Sequence, residues 1–417
     1  MENVIEELKA RGLINNFSNE EELIEMFKTP QTIYCGFDPS ASSMHIGNFV
    51  AISVLMRFLQ YGHKVIAVVG GATGMIGDPS GKSKERNLQG EETLRKNSQC
   101  LKDQLGRFLP FGDESKAILL DNYDWTKDLS VLDFLRDYGK YFNINYMLSK
   151  DIISSRLEAG ISYTEFSYMI LQSLDFLYLH DNYGVSCQIG GGDQWGNLTA
   201  GLELIRKVRG PEEKVGCITM NLITRSDGKK FGKSEDGALF LDENLTSPYK
   251  LYQFFINQAD EDAVKYLKVF TFLSLDKINE IEREHLANLG QRVAQKVLAF
   301  EVTKIIHGEE KAKHAVQMSE ILFQEKYSSL SENELLDVFG KNLVDVTGGS
   351  KLEDILIEAN VAPSKREART LITGNSISLN GVKNTDPNAI IDNGLAIHNN
   401  LIVLKKGKKF FYLLRLK

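Results

Sequence analysis

From residue 32 to about residue 219, short runs rich in β-branched residues alternate with longer stretches whose apolar side chains fall three or four apart. No other feature constrains the fold as much. Strands that run in the same direction need a long crossover between them, and a helix is the usual one. The alternation therefore predicts a parallel α/β sheet. Strands are expected at 32–36, 64–69, 117–120, 185–189 and 215–219, with helices at 49–61, 91–108, 163–180 and 197–208. At 417 residues the chain exceeds what one hydrophobic core usually serves, so two or three domains are expected.

Beyond residue 246 the strand signals fade, and 248 to about 323 reads as amphipathic helices with turns near Asp260 and Leu275. The stretch 327–350 is polar and ends in Gly348-Gly349-Ser350, which predicts a flexible joint. The tail then begins with a helical pattern at 352–360, followed by a second helix carrying Lys365, Arg366 and Arg369. A strand and turn at 377–382 and β-like runs at 401–404 and 410–414 complete it.

Charge divides along the same line. Residues 351–417 hold 11 Lys/Arg against 6 Asp/Glu, a net +5, whereas residues 1–350 carry 38 against 50, a net −12. A basic tail on an acidic body fits a module for a polyanion, and equally a solvated basic face. The longest apolar runs, such as 65–69 and 118–120, fall far short of a bilayer's roughly 30 Å. No membrane role is expected. The N-terminus lacks the basic start and apolar core of a secretory signal. Cys35, Cys100, Cys187 and Cys217 lie far apart without Cys-x-x-Cys spacing, so no disulfide framework or protein-bound metal is indicated. A reducing cytoplasm is the expected location.

Two segments have the composition of phosphate sites. Tyr34-Cys35-Gly36-Phe37-Asp38-Pro39-Ser40 leaves a buried strand, and Ser43-Met44-His45-Ile46-Gly47-Asn48 then enters a helix, whose first amides attract phosphate. Gly47 would let a flat ligand approach the backbone, and His45 could donate to a phosphate oxygen, although a histidine there also serves as a cap. The second segment, Arg225-Ser226-Asp227-Gly228-Lys229-Lys230-Phe231-Gly232-Lys233-Ser234, reads either as a solvated loop or as a pair of ammonium groups for a triphosphate. A third stretch, 70–83, ends in Gly81-Lys82-Ser83 and invites a P-loop reading. Its spacing refuses it. Four residues must separate the two glycines, yet Ile76 stands where the first belongs, and Pro79 removes an amide from the cradle.

Together these residues resemble the class I aminoacyl-tRNA synthetases. The stretch 39–48 looks like that family's "HIGH" signature, with Asn48 in place of the final histidine, and Lys230-Phe231-Gly232-Lys233-Ser234 resembles its "KMSKS" loop. Tyr168, Gln172 and Asp175 fall on one helical stripe, on a helix whose Leu171, Leu174 and Phe176 suggest burial. That block is similar to the tyrosine-binding helix of bacterial-type tyrosyl-tRNA synthetases. The resemblance implies that Asp175 and Tyr34 hold a phenol oxygen, and that Asp38, Tyr168 and Gln172 hold an ammonium group. It also places Asp78, Gln188 and Gln194 around the amino acid.

For ATP, the resemblance implies Gly36, Pro39, His45, Gly47, Asn48, Gly191, Asp193, Lys230 and Lys233. Catalysis is expected from Ser40, His45, Asn48, Lys82, Arg86, Lys230, Lys233 and Ser234, with Mg2+ carried in on ATP as part of that substrate. Residues 351–417 look like a small RNA-binding module shared with a ribosomal protein, in which Lys365, Arg366 and Arg369 neutralise phosphates. The implied architecture is a Rossmann-like catalytic domain at 1–246, a helical domain at 247–323, a linker at 324–350 and an α+β module at 351–417. The implied partners are L-tyrosine, ATP, tRNA(Tyr) and a second copy of the chain in a homodimer.

Overall fold

The computed structural model describes residues 3–81, 88–154, 156–157, 160–226, 231–234, 237–398, 400–407 and 410–417. Its first compact unit comprises 1–246 and 258–298, and its second 247–257 and 299–417.

The first unit is built on a six-stranded sheet. In chain order its parts are β1 (Ile14–Phe17), β2 (Thr32–Phe37), α1 (Ile46–Gln60), β3 (Lys64–Val69), α2 (Glu91–Leu105), β4 (Ala117–Asp121), α3 (Tyr163–Tyr183), β5 (Val185–Gly191), α4 (Trp195–Arg209) and β6 (Gly216–Met220). The sheet order is β1-β6-β5-β2-β3-β4, and every pairing is parallel except β1 with β6. All five strands read from the sequence are present. The sixth, β1, is a four-residue edge strand whose two asparagines, Asn15 and Asn16, hide it from a β-propensity reading. Val65, Ile66, Ala67, Val68 and Val69 of β3 are all buried, as expected for a strand covered on both faces. On one face Tyr34, Ile66 and Val68 join Phe176 and Leu177 of α3 and Leu198 and Leu202 of α4 in a single core. Helix α1 packs against β2, β3 and β5.

After β6 come the two-residue strands β7 (Lys233–Ser234) and β8 (Gly237–Ala238), which pair with each other. The helical stretch then runs through α5 (Pro248–Ile256), α6 (Asp260–Phe270), α7 (Leu275–Ala287), α8 (Val293–His307) and α9 (Glu309–Phe323). Helices α6 and α7 fall in the first unit, whereas α5 and α9 fall in the second.

The second unit continues with α10 (Glu332–Phe339), β9 (Leu343–Val346), β10 (Ser350–Lys351), α11 (Leu352–Glu358), α12 (Lys365–Thr373), β11 (Ile377–Leu379), β12 (Val382–Lys383), β13 (Ile390–Ile391), β14 (Leu401–Lys406) and β15 (Phe410–Leu416). Its main sheet has the order β12-β11-β14-β15-β9. Alternation along β14 explains why Leu401-Ile402-Val403-Leu404 is apolar throughout. Ile402 and Leu404 face a core with Leu352, Ile355 and Ile372, whereas Leu401 and Val403 face another with Tyr327, Leu330, Leu335 and Phe339.

That second core changes the reading of 324–350. The segment expected to be a polar joint contains α10 and β9, and β9 pairs in parallel with β15 at Leu413↔Leu343 through Leu416↔Val346. The supposed hinge is itself tied down. Gly348 N donates to Lys417 O at 3.1 Å and Gly349 N to Ile391 O at 2.8 Å. The signal lay in the sequence: Ser331 and Glu334 form a reciprocal capping box, which starts a helix whose Leu335 and Phe339 are buried.

Candidate active site

Strand β2 is followed on one side by β3 and β4, while the chain returns to lay β5 on its other side. Ligands in open α/β sheets settle at the carboxyl ends of strands beside such a reversal. Many of the residues singled out from the sequence lie there, whereas Lys365, Arg366 and Arg369 lie on α12. Asp38, Pro39 and Ser40 follow β2, Asp78 follows β3 after a short helix at Thr73–Ile76, and Asp193 and Gln194 follow β5.

Helix α3 brings Tyr168, Gln172 and Asp175 to these strand ends. The Tyr168 hydroxyl donates to Asp38 Oδ2 at 2.8 Å, and Thr73 Oγ1 donates to Asp38 Oδ1 at 2.9 Å. A Cβ at Gly70 would sit 2.1 Å from that same Asp38 oxygen, so only glycine allows the carboxylate this close to the turn. Asp175 accepts from Trp125 Nε1 at 2.8 Å and from Asn122 Nδ2 at 3.0 Å. Asn122 also donates to Thr73 Oγ1 at 3.0 Å and accepts from Ala72 N at 2.7 Å. One polar chain thus runs from Tyr168 through Asp38, Thr73 and Asn122 to Asp175.

Burial pushes the Asp175 carboxyl up to about 7, despite its two donors. Burial, and then the charge of Asp175, push the Tyr34 phenol well above its ordinary value. Tyr34 is 2% exposed, and its hydroxyl has no hydrogen-bond partner among the described residues. The same holds for Oε1 of Gln172 and of Gln188, which pairs across the sheet with Tyr34 in register. Buried polar atoms are seldom left unpartnered, because losing water without replacement costs about 1–3 kcal/mol each. Three of them, on β2, β5 and the helix that carries Asp175, mark a site that demands a polar ligand.

A second cluster stands beside it. Gln194 Nε2 donates to Asp78 Oδ2 at 2.5 Å, Ser80 N donates to Asp78 Oδ1 at 2.9 Å, and Asn197 Nδ2 donates to Ser80 Oγ at 3.2 Å and Gln194 Oε1 at 3.1 Å. Asp193 approaches Gly191 and Gly81 closely, since a Cβ on either would lie 2.7 or 3.0 Å from its oxygens. At Gly36 a Cβ would meet nothing within 4 Å, which leaves exposed backbone open to a flat group. Pro39 O accepts from Asn97 and Ser40 O from Gln89, so the turn after β2 is held by its carbonyls while the Ser40 side chain stays exposed.

His45 is the N-cap of α1. Its Nδ1 accepts from Gly47 N at 3.0 Å and Asn48 N at 3.3 Å, while Asn48 Oδ1 accepts from His45 N at 3.0 Å. When Nδ1 accepts, the neutral ring carries its proton on Nε2 and can donate there. The side chain that caps the helix therefore also carries a ring N–H. Gly47 is required by this arrangement, because a Cβ there would lie 2.9 Å from the imidazole. Asn48 serves as the reciprocal half of the box.

The chain after the lysine segment returns to this helix start. His45 bridges Phe240, Ile46 N donates to Leu239 O at 2.8 Å, and Leu239 N donates to Gly232 O at 3.0 Å. The two signature segments are thus neighbours. Lys233 and Ser234 lie on β7, and Lys82, Arg86 and Lys230 lie outside the described residues.

In the second unit the three basic residues of α12 differ from one another. Lys365 Nζ lies 2.6 Å from Asp354 Oδ1, and Arg369 Nε lies 2.5 Å from Glu353 Oε2. Arg366 is exposed and makes no ion pair among the described residues.

Sequence reasoning missed Thr73, Asn122, Trp125, Ser80 and Asn197. For Asn122 and Trp125 a signal existed, since they follow β4 at the same edge of the sheet as the other site residues.

A Rossmann-like sheet with a helix-capping histidine and a polar site at its switch point is the plan of a class I aminoacyl-tRNA synthetase. Residues 26–324 match the family described as tRNA synthetases class I (W and Y), and 339–414 match the tyrosine–tRNA ligase SYY-like C-terminal domain. The tyrosine–tRNA ligase of Bacillus caldotenax is 48% identical over 416 residues, covering 99% of both chains, and that of Listeria innocua is 46% identical over 418 residues, covering 100% of both. A solved mitochondrial tyrosyl-tRNA synthetase from Aspergillus nidulans superposes with a TM-score of 0.71 at 31% identity, over 78% of this chain and 95% of that one. The chain belongs to the tyrosine–tRNA ligases, the tyrosyl branch of the class I synthetases.

Proposed function

We propose that the chain activates L-tyrosine with ATP and then loads it onto tRNA(Tyr). In the first step a tyrosine carboxylate oxygen attacks the α-phosphorus of ATP, forming tyrosyl-adenylate as pyrophosphate leaves. In the second a hydroxyl of the tRNA's 3′-terminal ribose attacks the tyrosyl carbonyl, forming the ester as AMP leaves. No protein nucleophile takes part. Magnesium enters with ATP as part of that substrate.

The observation that carries this reading is the buried Tyr34 hydroxyl, unpartnered among the described residues and within the field of Asp175. A phenol can both donate and accept, so it matches a carboxylate held by Asn122 and Trp125 together with a hydroxyl awaiting a partner. Phenylalanine would leave both unsatisfied, a form of discrimination for which the tyrosyl enzyme is itself a standard example. Asp38, Tyr168 and Gln172 are assigned to the substrate ammonium, and Asp78, Gln188 and Gln194 to the rest of the amino acid. Gly36, Pro39, Gly47, Asn48, Gly191 and Asp193 are assigned to the nucleotide. Ser40, His45, Lys82, Arg86, Lys230, Lys233 and Ser234 act by positioning and by stabilising charge on the phosphates.

Lys365, Arg366 and Arg369 are assigned to RNA phosphates. Val131, Leu132, Leu135 and Ile144 expose 49–75% of their surface within residues 131–144, which supports a homodimer. Among the described residues no helix is long and apolar enough to cross a membrane.

A tryptophanyl enzyme shares the family model. An indole, however, has no oxygen for Tyr34 and Asp175. Pyrophosphate exchange with tyrosine and ATP, run beside tryptophan, tests the assignment. Exchange is expected with tyrosine alone, and exchange that follows tryptophan would overturn it.

A further inference from the structure

Helix α6 holds the lysine segment from both sides. Asp262 occupies the third position of α6, where an acid normally reaches back to the helix's own N-cap. Here the N-cap is Ala259, which offers no side-chain cap, and the Asp262 carboxylate turns outward. It accepts from Ser226 N at 3.0 and 3.1 Å and from Ser226 Oγ at 3.0 Å, and Asp262 is only 4% exposed. Next along the helix, Lys265 Nζ and Tyr266 OH each donate to Thr224 O at 3.2 Å. The far side of the segment returns to the same helix. The Phe231 ring lies 4.8 Å from that of Tyr266 and 5.0 Å from that of Phe270.

Asp262, Tyr266 and Phe270 stand four apart, so they form one stripe of α6, about 12 Å long at 1.5 Å per residue. Residues 227–230, between the two anchors, lie outside the described residues. Immediately after Phe231, Gly232 has φ +78°, and a Cβ there would lie 2.8 Å from Ile46 Cγ2 in the first turn of α1. The entry to the lysine segment is therefore set by α6, and its exit by α6 and the helix that carries His45. None of the groups assigned to substrate belongs to α6.

We propose that Asp262 is a positioning residue for the activation step. By fixing the Ser226 amide on α6, it sets where the lysine-bearing segment begins, and so where Lys230 and Lys233 meet the phosphates. This rests on the catalytic assignment of those two lysines. The ammonium groups act over a short range, and misplacement by about 1 Å can cost on the order of 100-fold in rate. The carboxylate touches no substrate, so tyrosine binding is untouched by it.

The test uses the full chain. Single-turnover formation of tyrosyl-adenylate is measured, with active sites titrated so that the rate constant refers only to competent enzyme. Asp262→Ala is expected to lower that constant about 10- to 100-fold with tyrosine affinity unchanged. Asp262→Asn keeps one accepting oxygen and falls between, and Ser226→Ala, which keeps the amide bonds, stays near the parent. Asp262→Ala added to Lys233→Ala should slow the reaction no further than Lys233→Ala alone, since the aspartate works through the lysines. A lower melting temperature with an unchanged rate constant per titrated site would overturn the proposal, as would full additivity with Lys233→Ala. If Asp262→Ala does not fold, Asp262→Asn decides by the same readouts. Should Lys233→Ala itself leave the rate unchanged, the lysine assignment fails; a slow Lys233→Ala beside an unaffected Asp262→Ala removes this proposal alone.

Discussion

His45 has a capping duty and a proposed catalytic one, and substitution can separate them. Its Nδ1 caps α1, which puts the neutral ring's proton on Nε2. Alanine would remove both functions, so a slow His45→Ala variant would say little about either. Asparagine ranks among the best N-caps. His45→Asn should therefore keep the helix start and the melting temperature close to the parent, yet slow adenylate formation by about 10- to 100-fold, as loss of an oriented phosphate donor does. Stopped-flow fluorescence of adenylate formation beside calorimetry reads the two effects apart, and a fast His45→Asn would confine the residue to capping. Legibility at this scale followed sequence distance. Tyr168, Gln172 and Asp175 could be placed together because a helix dictates which residues share a stripe. The cap was half visible, as a histidine and an asparagine three apart at a helix start. Asn122 and Trp125 could not be tied to Asp175, because their bonds cross 53 and 50 residues and no local period reports such a pairing.

At the scale of elements, α6 is held at its carboxyl end by two buried arginines. Arg57, in the last turn of α1, is 1% exposed and donates through Nη2 to Thr271 O at 2.6 Å and Val269 O at 3.3 Å, with its guanidinium 4.5 Å from the Phe272 ring. Arg11 reaches Lys268 O at 3.1 Å and Leu273 O at 2.8 Å. Both cations sit where the helix dipole is negative and carbonyls lack partners within the helix. Burial, and then the charge of Arg11, pull the Arg57 guanidinium down to about 9, while Glu7 acts in its favour. Arg57→Met keeps the bulk and removes the donors. It should lower stability by about 3 kcal/mol, the upper range for hydrogen bonds to a charged group. The urea midpoint measures this, and an unchanged midpoint would mean that water replaces the guanidinium at those carbonyls. Elements with strong periodicity, such as β3 and α3, were legible; β1 was not, and α10 showed only its capping box. In β1 the pairing with β6 outweighs the poor propensity of two asparagines. In α10, only about two turns long, the polar residues around Leu335 and Phe339 concealed a buried face, which packs in one core with Tyr327, Leu330 and with Leu401 and Val403 of β14.

For the whole molecule, charge separates the two reactions. The tail's excess of +5 stands against −12 elsewhere in the chain, so the proposed RNA contacts and the activation chemistry should answer differently to salt. Contacts to RNA phosphates release counterions, and binding then weakens steeply as ionic strength rises. The proposed activation chemistry relies on short-range charge contacts, which salt screens less. The three cations of α12 are unequal in this. Lys365 and Arg369 already face Asp354 and Glu353, and the Glu353 side chain is 3% exposed, so replacing Arg369 would strip a covered carboxylate of its partner as well as removing a charge. Arg366 has no such partner among the described residues. Arg366→Ala should therefore weaken tRNA binding and flatten its salt dependence, with pyrophosphate exchange and melting temperature unchanged. Arg369→Ala should weaken binding and also lower the unfolding temperature of the second unit. Charging assays across a salt series, beside exchange assays on the same preparations, measure both. If Arg366→Ala leaves the salt slope of charging intact, the exposed face of α12 makes no phosphate contact, and the positive charge of the tail has to be read as a solvated surface.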